Sequence, residues 1–123
     1  MPRPASKYDA LYEKYPFLSE VFMFECGNGW FDILSELCAK LDALKLGPDF
    51  KVIQIKEKLG ILAFYLETWP QDRKPEIDQL IIEAERKSIK TCESCGRPGR
   101  RTSLGHGCCL VTFCKKCLKK ANR

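Results

Sequence analysis

Two Cys-x-x-Cys pairs near the C-terminus are the residues of this chain best suited to chemistry. The first pair is Cys92 and Cys95, the second is Cys114 and Cys117, and 18 residues lie between the pairs. Two intervening residues let both sulfurs of a pair turn toward one ion at about 2.3 Å. Four thiolates complete a tetrahedron and leave no open position for water. The spacing therefore predicts one structural zinc ion rather than a catalytic one.

Further candidate ligands and nucleophiles lie near these pairs. His106, Cys108 and Cys109 stand between the two pairs, so a mixed site or a second metal stays an alternative. His106 and Cys108 could also act as base and nucleophile, but two residues apart in a glycine-flanked loop is weak evidence, and a loop histidine is the favoured interpretation. Cys109 and Cys38 are predicted to be small buried apolar residues, and Cys26 has no predicted role.

Other catalytic patterns are absent from the sequence. Neighbouring carboxylates fall beside Lys and Arg on predicted solvent-facing helix surfaces, which explains them without acid-base catalysis; they are Asp72, Glu76, Asp78, Glu83 and Glu85. There is no glycine-rich phosphate loop, no nucleophile elbow and no His-Glu-x-x-His. The sequence therefore predicts a protein that is not an enzyme, without a small-molecule substrate.

Positive charge is concentrated around the cysteine pairs. The whole chain carries +5, but residues 92–123 carry +7 with Glu93 as their one acid, and the remainder carries −2. A divalent ion with four thiolates removes two charges and leaves this segment near +5. Such a surface attracts polyanions, although it could also serve only solubility. The candidate nucleic-acid or partner contacts are Arg97, Arg100, Arg101, Lys115, Lys116, Lys119, Lys120 and Arg123.

Composition indicates a globular protein of one domain, or one domain with a small satellite. The chain has 123 residues, 45% hydrophobic and 11% aromatic, which is enough for a core. No run approaches the roughly 18 apolar residues of a membrane span, and residues 1–7 do not resemble a signal peptide. We expect a cytoplasmic protein without membrane contact. Thiols stay reduced there, so the eight cysteines are predicted to be metal ligands and core residues rather than disulfides.

Helical and strand patterns outline the remaining architecture. Aromatic and aliphatic spacing over residues 8–24 predicts one or two short helices around Pro16. A longer amphipathic helix follows, with Asn28 as its candidate cap and Gly47 with Pro48 as its end. Residues 51–57 and 61–67 predict a hairpin whose three-residue loop ends in Gly60, which suits a type I turn with a bulge.

A third helix and the cysteine-rich segment complete the prediction. Pro75 opens a helix that presents an apolar face to the core, made of Ile77, Leu80, Ile81, Ala84 and Ser88. Between the cysteine pairs, residues 101–104 and 109–113 predict short strands, and residues 117–123 a basic helix. The expected fold class is α+β, with helices packed on a β-hairpin. Residues 1–90 form that domain, and residues 91–123 form a zinc-ribbon or treble-clef module.

Gly96 is a specific support of the predicted metal site. Placed directly after Cys95, a glycine accepts positive φ and lets the chain turn, and this turn is expected to aim N–H groups at the thiolates. Cys92 through Gly96 thus has the composition of a metal knuckle.

A set of ordered motifs resembles small uncharacterised proteins of bacteriophages and prophages. These motifs are Gly29-Trp30 with Leu37-Cys38, the turn Lys56-Glu57-Lys58-Leu59-Gly60, and the later Cys92-x-x-Cys95-Gly96. The resemblance covers residues 26–117 and implies a phage accessory protein with metal ligands at the four paired cysteines. Cys108-Cys109 departs from the pattern. Phage proteins of this size commonly bind host machinery, which implies a binding role.

Three functional classes follow from these observations. The favoured hypothesis is a zinc-stabilised module that binds nucleic acid or a nucleoprotein through its basic residues. The alternative is a protein–protein inhibitor of a host defence complex, of anti-CRISPR or other anti-defence type, anchored by N-terminal aromatics and Trp69. An enzyme that uses His106 and Cys108 is third.

Overall fold

Four α-helices and five β-strands make up the described part of the chain. A computed structural model describes residues 5–105 and 109–122. Short 3-10 turns at Pro16–Leu18, Asn28–Trp30 and Gln71–Arg73 connect the longer elements. In chain order these elements are α1 (Asp9–Lys14), β1 (Phe24–Glu25), α2 (Phe31–Ala43), β2 (Lys51–Lys58), β3 (Ile61–Thr68), α3 (Lys74–Ser88), β4 (Arg100–Ser103), β5 (Leu110–Phe113) and α4 (Lys115–Ala121).

A three-stranded sheet lies at the centre of the first 90 residues. Its order is β1-β2-β3, with β2 and β3 antiparallel as the sequence predicts. Strand β1 pairs parallel to β2, with Phe24 opposite Ile55 and Glu25 opposite Lys56. The sequence analysis did not predict β1, because two residues are too few to show an alternating pattern.

The turn between β2 and β3 differs from the prediction. Lys58 pairs directly with Ile61, so the loop has two residues rather than three. Both are left-handed, with φ of 54° at Leu59 and 81° at Gly60. Positive φ at both positions is the requirement of a type I′ turn, whose twist matches that of the flanking strands. A leucine in this conformation is unusual because its side chain crowds the backbone.

Helices α2 and α3 pack against each other and cover one face of the sheet. Trp30, Leu34, Ile55, Leu62 and Ile77 lie at the centre of this core and are almost fully buried. Cys38 is buried on the same side of α2, as predicted. The predicted apolar face of α3 is confirmed, because its buried residues are Ile77, Ile81, Ala84 and Ser88, with Leu80 packed partly against them.

The ends of α2 correct two predictions. The side chain of Asn28 makes no capping hydrogen bond, because Asn28 lies in the 3-10 turn that leads into the helix. At the other end the helix stops at Ala43, four residues before Gly47. Lys45 takes a left-handed φ of 54° and turns the chain earlier than the glycine does.

The cysteine-rich segment forms a small hairpin and a helix. Strands β4 and β5 are antiparallel, with Arg101 opposite Thr112. Helix α4 begins at Lys115, two residues before the predicted start, and includes Cys117 in its first turn. The α+β fold class is confirmed. Among the described residues, no helix is both long and apolar enough to cross a membrane.

Candidate metal centre

The four paired cysteines converge at one point. The sulfur atoms of Cys92, Cys95, Cys114 and Cys117 all lie within 4.8 Å of one another. The sulfurs of Cys95 and Cys114 are 3.7 Å apart. A tetrahedral ion with metal–sulfur bonds of about 2.3 Å needs sulfur–sulfur separations of about 3.8 Å. The described fold therefore assembles a four-sulfur set of the right size to bind one metal ion.

The first pair lies on a tight knuckle that folds back on itself. The N–H of Cys92 donates to the carbonyl of Arg97 at 2.7 Å, and the N–H of Gly96 donates to the carbonyl of Cys92 at 2.9 Å. Gly96 has φ of 85°, which confirms the predicted positive φ. Its N–H, however, reaches a carbonyl instead of a sulfur. Gly96 thus allows the turn to close. The closed turn, rather than a hydrogen bond from Gly96 to a sulfur, orients the thiols.

The second pair uses the beginning of α4. Cys114 is the N-cap of the helix, and its sulfur accepts the backbone N–H of Cys117 at 3.4 Å. This hydrogen bond favours the thiolate and lowers the pKa of Cys114 to about 6. The hydrogen bond with Cys114 in turn raises the pKa of Cys117. Cys114 is therefore the member of this pair that ionises first and is ready to bind a cation near neutral pH.

The order of elements identifies the architecture of the module. A knuckle supplies two cysteines, the β4–β5 hairpin follows, and the first turn of α4 supplies the other two. This is the arrangement of a treble clef, one of the two alternatives predicted. The four cysteines lie at the junctions between elements, so a metal ion bound by them would fix the knuckle, hairpin and helix relative to one another.

The knuckle packs against two glycines that precede α2. The N–H of Gly29 donates to the carbonyl of Glu93 at 2.7 Å, and the N–H of Gly27 donates to the Glu93 carboxylate at 2.8 Å. A β-carbon on Gly29 would lie 2.1 Å from the carbonyl oxygen of Cys92, and one on Gly27 would lie 2.5 Å from that of Glu93. Only glycine permits this approach at both positions, so we call residues 27–29 the glycine cradle.

Buried polar groups reinforce the contact around the cradle. The indole N–H of Trp30 donates to the carbonyl of Thr91 at 2.9 Å, and the Tyr8 hydroxyl donates to the carbonyl of Gly27 at 2.6 Å. Burial raises the pKa values of Tyr8 and Cys26, in the case of Cys26 to about 12. It also raises the pKa of Glu93, against the hydrogen bond from Gly27. The Cys26 thiol and the Tyr8 phenol are therefore neutral at physiological pH and have a structural role.

The β4–β5 hairpin grips the turn between β2 and β3. The hydroxyl of Thr112, which is fully buried, donates to the carbonyl of Gly60 at 2.6 Å. Arg101, opposite Thr112 in the register, donates from Nε to the carbonyl of Leu59 at 2.7 Å. We call these two bonds the turn clasp. Together with the cradle they join residues 91–122 to the first 90 residues, while the predicted domain boundary stays a prediction.

The predicted basic contacts lie on the outside of the module. All seven that the structure describes are exposed: Arg97, Arg100, Arg101, Lys115, Lys116, Lys119 and Lys120. Arg123 lies outside the described residues. Arg101 also forms part of the turn clasp. The sequence analysis predicted its contact with an external partner but not this structural hydrogen bond. Lys116, Lys119 and Lys120 are three and four residues apart on α4 and share one side of it.

The remaining sequence candidates divide into three groups. His106 and Cys108 lie outside the described residues. Cys109 is exposed, so the prediction of a buried residue is wrong; it directly precedes β5 at the end of the loop rather than within the sheet. Three of the five neighbouring carboxylates form ion pairs, as expected of solvated helix faces; these pairs are Arg73 with Glu76, Lys74 with Asp78, and Lys40 with Glu83.

The supports of the metal centre were the main omission of the sequence analysis. Gly27 and Gly29 were interpreted as punctuation before a helix, and Thr112 as an ordinary strand residue. Two glycines separated by one residue, directly before a tryptophan, are a usable signal of a close backbone approach.

Comparisons of the chain with protein-family models, with curated proteins and with solved structures find no match.

Proposed function

We propose that this protein is a zinc-stabilised binding module that engages nucleic acid through the basic surface of its metal-binding segment. Zinc is the proposed ion because it favours four thiolate ligands in a closed tetrahedral site. The main support for nucleic-acid binding is the set of exposed Lys and Arg side chains around the four-cysteine site. Within the described chain, none of these seven cations forms an ion pair with a carboxylate.

The balance of charge in the module supports this proposal. Of the twelve described basic residues among the first 90, Lys40, Arg73, Lys74 and Lys87 form ion pairs with carboxylates. The module has Glu93 as its one described acid, and the Glu93 carboxylate accepts a hydrogen bond from Gly27. Its positive charge is therefore left for an external anion. Phosphate backbones are the polyanions whose binding depends on such a surface without a shaped pocket.

Metal analysis tests the zinc proposal first. One zinc per chain is expected for the natural sequence. Cys95→Ser removes one thiolate and should abolish tight zinc binding, because a closed site needs all four ligands. Cys38→Ala is the matched control, since Cys38 is buried in the core away from the four sulfurs and its variant should keep full zinc content. Full zinc occupancy in Cys95→Ser would overturn the assignment.

Salt-dependent binding tests the nucleic-acid proposal. About four to six phosphate contacts give a log–log slope of affinity against salt of roughly −4 to −5 on duplex DNA. Replacing Lys116, Lys119 and Lys120 with Gln keeps the helix and should flatten this slope by about 2 to 3. The loss should be equal across sequences, because phosphate contacts carry little base information. Fluorescence anisotropy against a labelled duplex at several salt concentrations measures both quantities.

A charge-matched variant provides the control for this experiment. Lys14, Lys45 and Arg86 are exposed and lie on the first 90 residues, and changing them to Gln removes the same three charges. The duplex slope should stay close to that of the natural sequence if the module makes the contacts. Equal effects of both triple variants would instead indicate a response to net charge. No binding of DNA or RNA at low salt would overturn the proposal.

A second candidate function is supported by an apolar surface within the first 90 residues. Phe22 is 57% exposed and lines a groove of about 360 Å³ with Met23, Ile53 and two carboxylates, Glu20 and Glu25. Exposed apolar patches with a polar rim are typical of protein–protein contact sites. Inhibition of a host protein complex, including a defence complex, is therefore the alternative. Capture of one host protein that is lost in Phe22→Ser would favour it over the first.

A phage or prophage origin belongs to the same proposal. It rests on the resemblance of the glycine-tryptophan, Lys-Glu-Lys-Leu-Gly and Cys-x-x-Cys-Gly motifs alone. Two of these motifs meet in the structure, because the cradle contacts the knuckle, whereas the β2–β3 turn contacts the β4–β5 hairpin that follows the knuckle. Genes adjacent to the coding sequence test the origin, since a phage accessory locus predicts replication, packaging or anti-defence neighbours.

A further inference from the structure

The outer face of the three-stranded sheet carries a row of polar and aromatic side chains that the core does not use. Ile55, Leu62 and Phe64 point to the helices and are buried. Alternate residues therefore point to the opposite face. In the β2–β3 register these are three facing pairs, Gln54 with Tyr65, Lys56 with Ala63, and Lys58 with Ile61.

Tyr65 is the aromatic residue of this face. Tyr65 is 39% exposed and lines a groove of about 280 Å³ that runs along β3 and also includes Lys58, Leu59 and, from α3, Glu85. The groove is small for a drug-sized ligand, for which cavities of about 300 to 1,000 Å³ are usual. A single planar ring placed against Tyr65 is the kind of ligand that fits. Tyrosine offers a rigid aromatic surface that loses little conformational entropy when it stacks.

The groove lies next to the basic module, because Leu59 lines the groove and is hydrogen-bonded to Arg101 of the module. Arg101 donates from Nε to the carbonyl of Leu59, and Leu59 lies at the end of the groove nearest the β2–β3 turn. Lys58 precedes Leu59 and is exposed. From Ile61 to Tyr65 the distance along β3 is about 13 Å at 3.3 Å per residue. A polyanion that leaves the module beside Arg101 therefore meets Lys58 first and Tyr65 within one short span.

We propose that single-stranded nucleic acid is the preferred ligand, with its phosphates on the basic module and one base stacked on Tyr65. The inference rests on the proposed nucleic-acid function and names its substrate class. In a duplex the bases are stacked on each other and cannot present a face to a tyrosine, whereas a single strand can. The combination of a basic track and an exposed aromatic ring is how proteins hold single strands without reading sequence.

Charges on the sheet define the direction of the strand. The carboxylates of this face are Glu25 on β1, which accepts a hydrogen bond from Gln54, and Glu67, two residues beyond Tyr65. The carboxylate of Glu85 on α3 also lines the groove. Phosphates are repelled from these positions. The strand therefore enters from the side of Lys58 and Arg101 and ends close to Tyr65.

The test compares single-stranded and duplex probes on variants of Tyr65. The probes are a fluorescein-labelled oligothymidylate of about 15 nucleotides and a duplex of the same length. Tyr65→Leu should weaken binding of the single strand by about 5- to 150-fold, the range expected for one lost stacking contact. Duplex affinity should be unchanged. Tyr65→Phe keeps the ring and should retain single-strand affinity.

Controls separate this inference from the proposed function. Phe22→Leu alters another exposed aromatic residue, outside the groove, and should leave single-strand affinity unchanged. Circular dichroism and zinc content should match the natural sequence in every variant. If Tyr65→Leu has no effect while the Lys116, Lys119 and Lys120 variant still weakens binding, the stacking inference is overturned and the basic module stands. If neither probe binds at low salt, both proposals fail.

Discussion

The two parts of this chain are stable for different reasons. In residues 5–90 large apolar side chains from α1, α2, α3 and the sheet form one buried core. In residues 91–105 and 109–122 the buried residues are Cys92, a member of the four-cysteine cluster, and Thr112, whose hydroxyl is hydrogen-bonded. The first part can obtain its stability from hydrophobic burial, and the second part has almost none to obtain. We expect the proposed metal and the contacts with the first part to supply the stability of the second part.

The contacts between the two parts are mostly hydrogen bonds in which at least one partner is a backbone group. The glycine cradle holds Glu93 through two N–H groups, and the turn clasp holds the carbonyls of Leu59 and Gly60. Such contacts depend on exact chain geometry and hardly on apolar area. The module is therefore expected to dock correctly only when the metal has already shaped the knuckle and hairpin. Four changes would break or sharpen this contrast.

Removal of the metal has the largest expected effect. Chelation at neutral pH should unfold the module, because metal binding supplies on the order of 10 kcal/mol of folding free energy in small zinc domains. The core of the first 90 residues has no ligand in it, so α1, α2 and α3 should remain. The far-UV circular dichroism signal should fall by about one sixth, the share of α4 among the helical residues. Global unfolding would show instead that the parts share one cooperative core.

Gly29→Ala should have the next largest effect. The added methyl group would lie 2.1 Å from the Cys92 carbonyl and 2.5 Å from that of Glu93, and both are backbone atoms that cannot give way. The expected loss is about 3 kcal/mol or more in the free energy of unfolding, with weaker zinc affinity in a chelator competition. Gly47→Ala is the control, since Gly47 has φ of 78° and nothing within 4 Å. It should cost about 1 kcal/mol and leave zinc affinity unchanged.

Thr112→Val tests the turn clasp. Valine fills nearly the same volume but leaves the buried carbonyl of Gly60 without its donor, which should cost about 1 to 3 kcal/mol. Thr112→Ser restores the donor and should recover part of the loss. Faster hydrogen exchange at the amides of the β2–β3 turn would locate the effect. Equal destabilisation by Thr102→Val, on the opposite face of the same hairpin, would contradict the assignment.

Glu36→Gln should have the smallest effect. Glu36 of α2 pairs with Lys40 and with Lys87 of α3, and the hydrogen bond from Lys87 is the main cause that lowers its pKa. The groups are about half exposed, so the loss should stay below about 1 kcal/mol. A carboxyl with a lowered pKa stabilises the fold above its unfolded value near 4.5 and loses this contribution as pH falls through the folded value. Urea unfolding at pH 7 and pH 3 should therefore show a smaller difference between variant and natural sequence at pH 3 than at pH 7.

The sequence by itself determined the features that depend on local spacing. The two cysteine pairs, the apolar face of α3, the β2–β3 hairpin and the buried Cys38 all follow from periodicity and residue type, and the structure has each of them. Local rules were less reliable where two conformations compete. Asn28 was available as a cap and Gly47 as a helix end, but the 3-10 turn and Lys45 take those positions because tertiary contacts decide between them.

Only the tertiary structure decided how the metal module is held. Gly29 and Cys92 are far apart in sequence, as are Gly60 and Thr112, and no periodic pattern links either pair. The close approach of their backbones becomes visible only when the sheet, the helices and the knuckle are assembled. The same holds for Arg101, whose charge predicted an external contact while the fold gives its Nε a carbonyl in the β2–β3 turn. Spacing thus specifies which ligands meet, and packing specifies what the finished site is attached to.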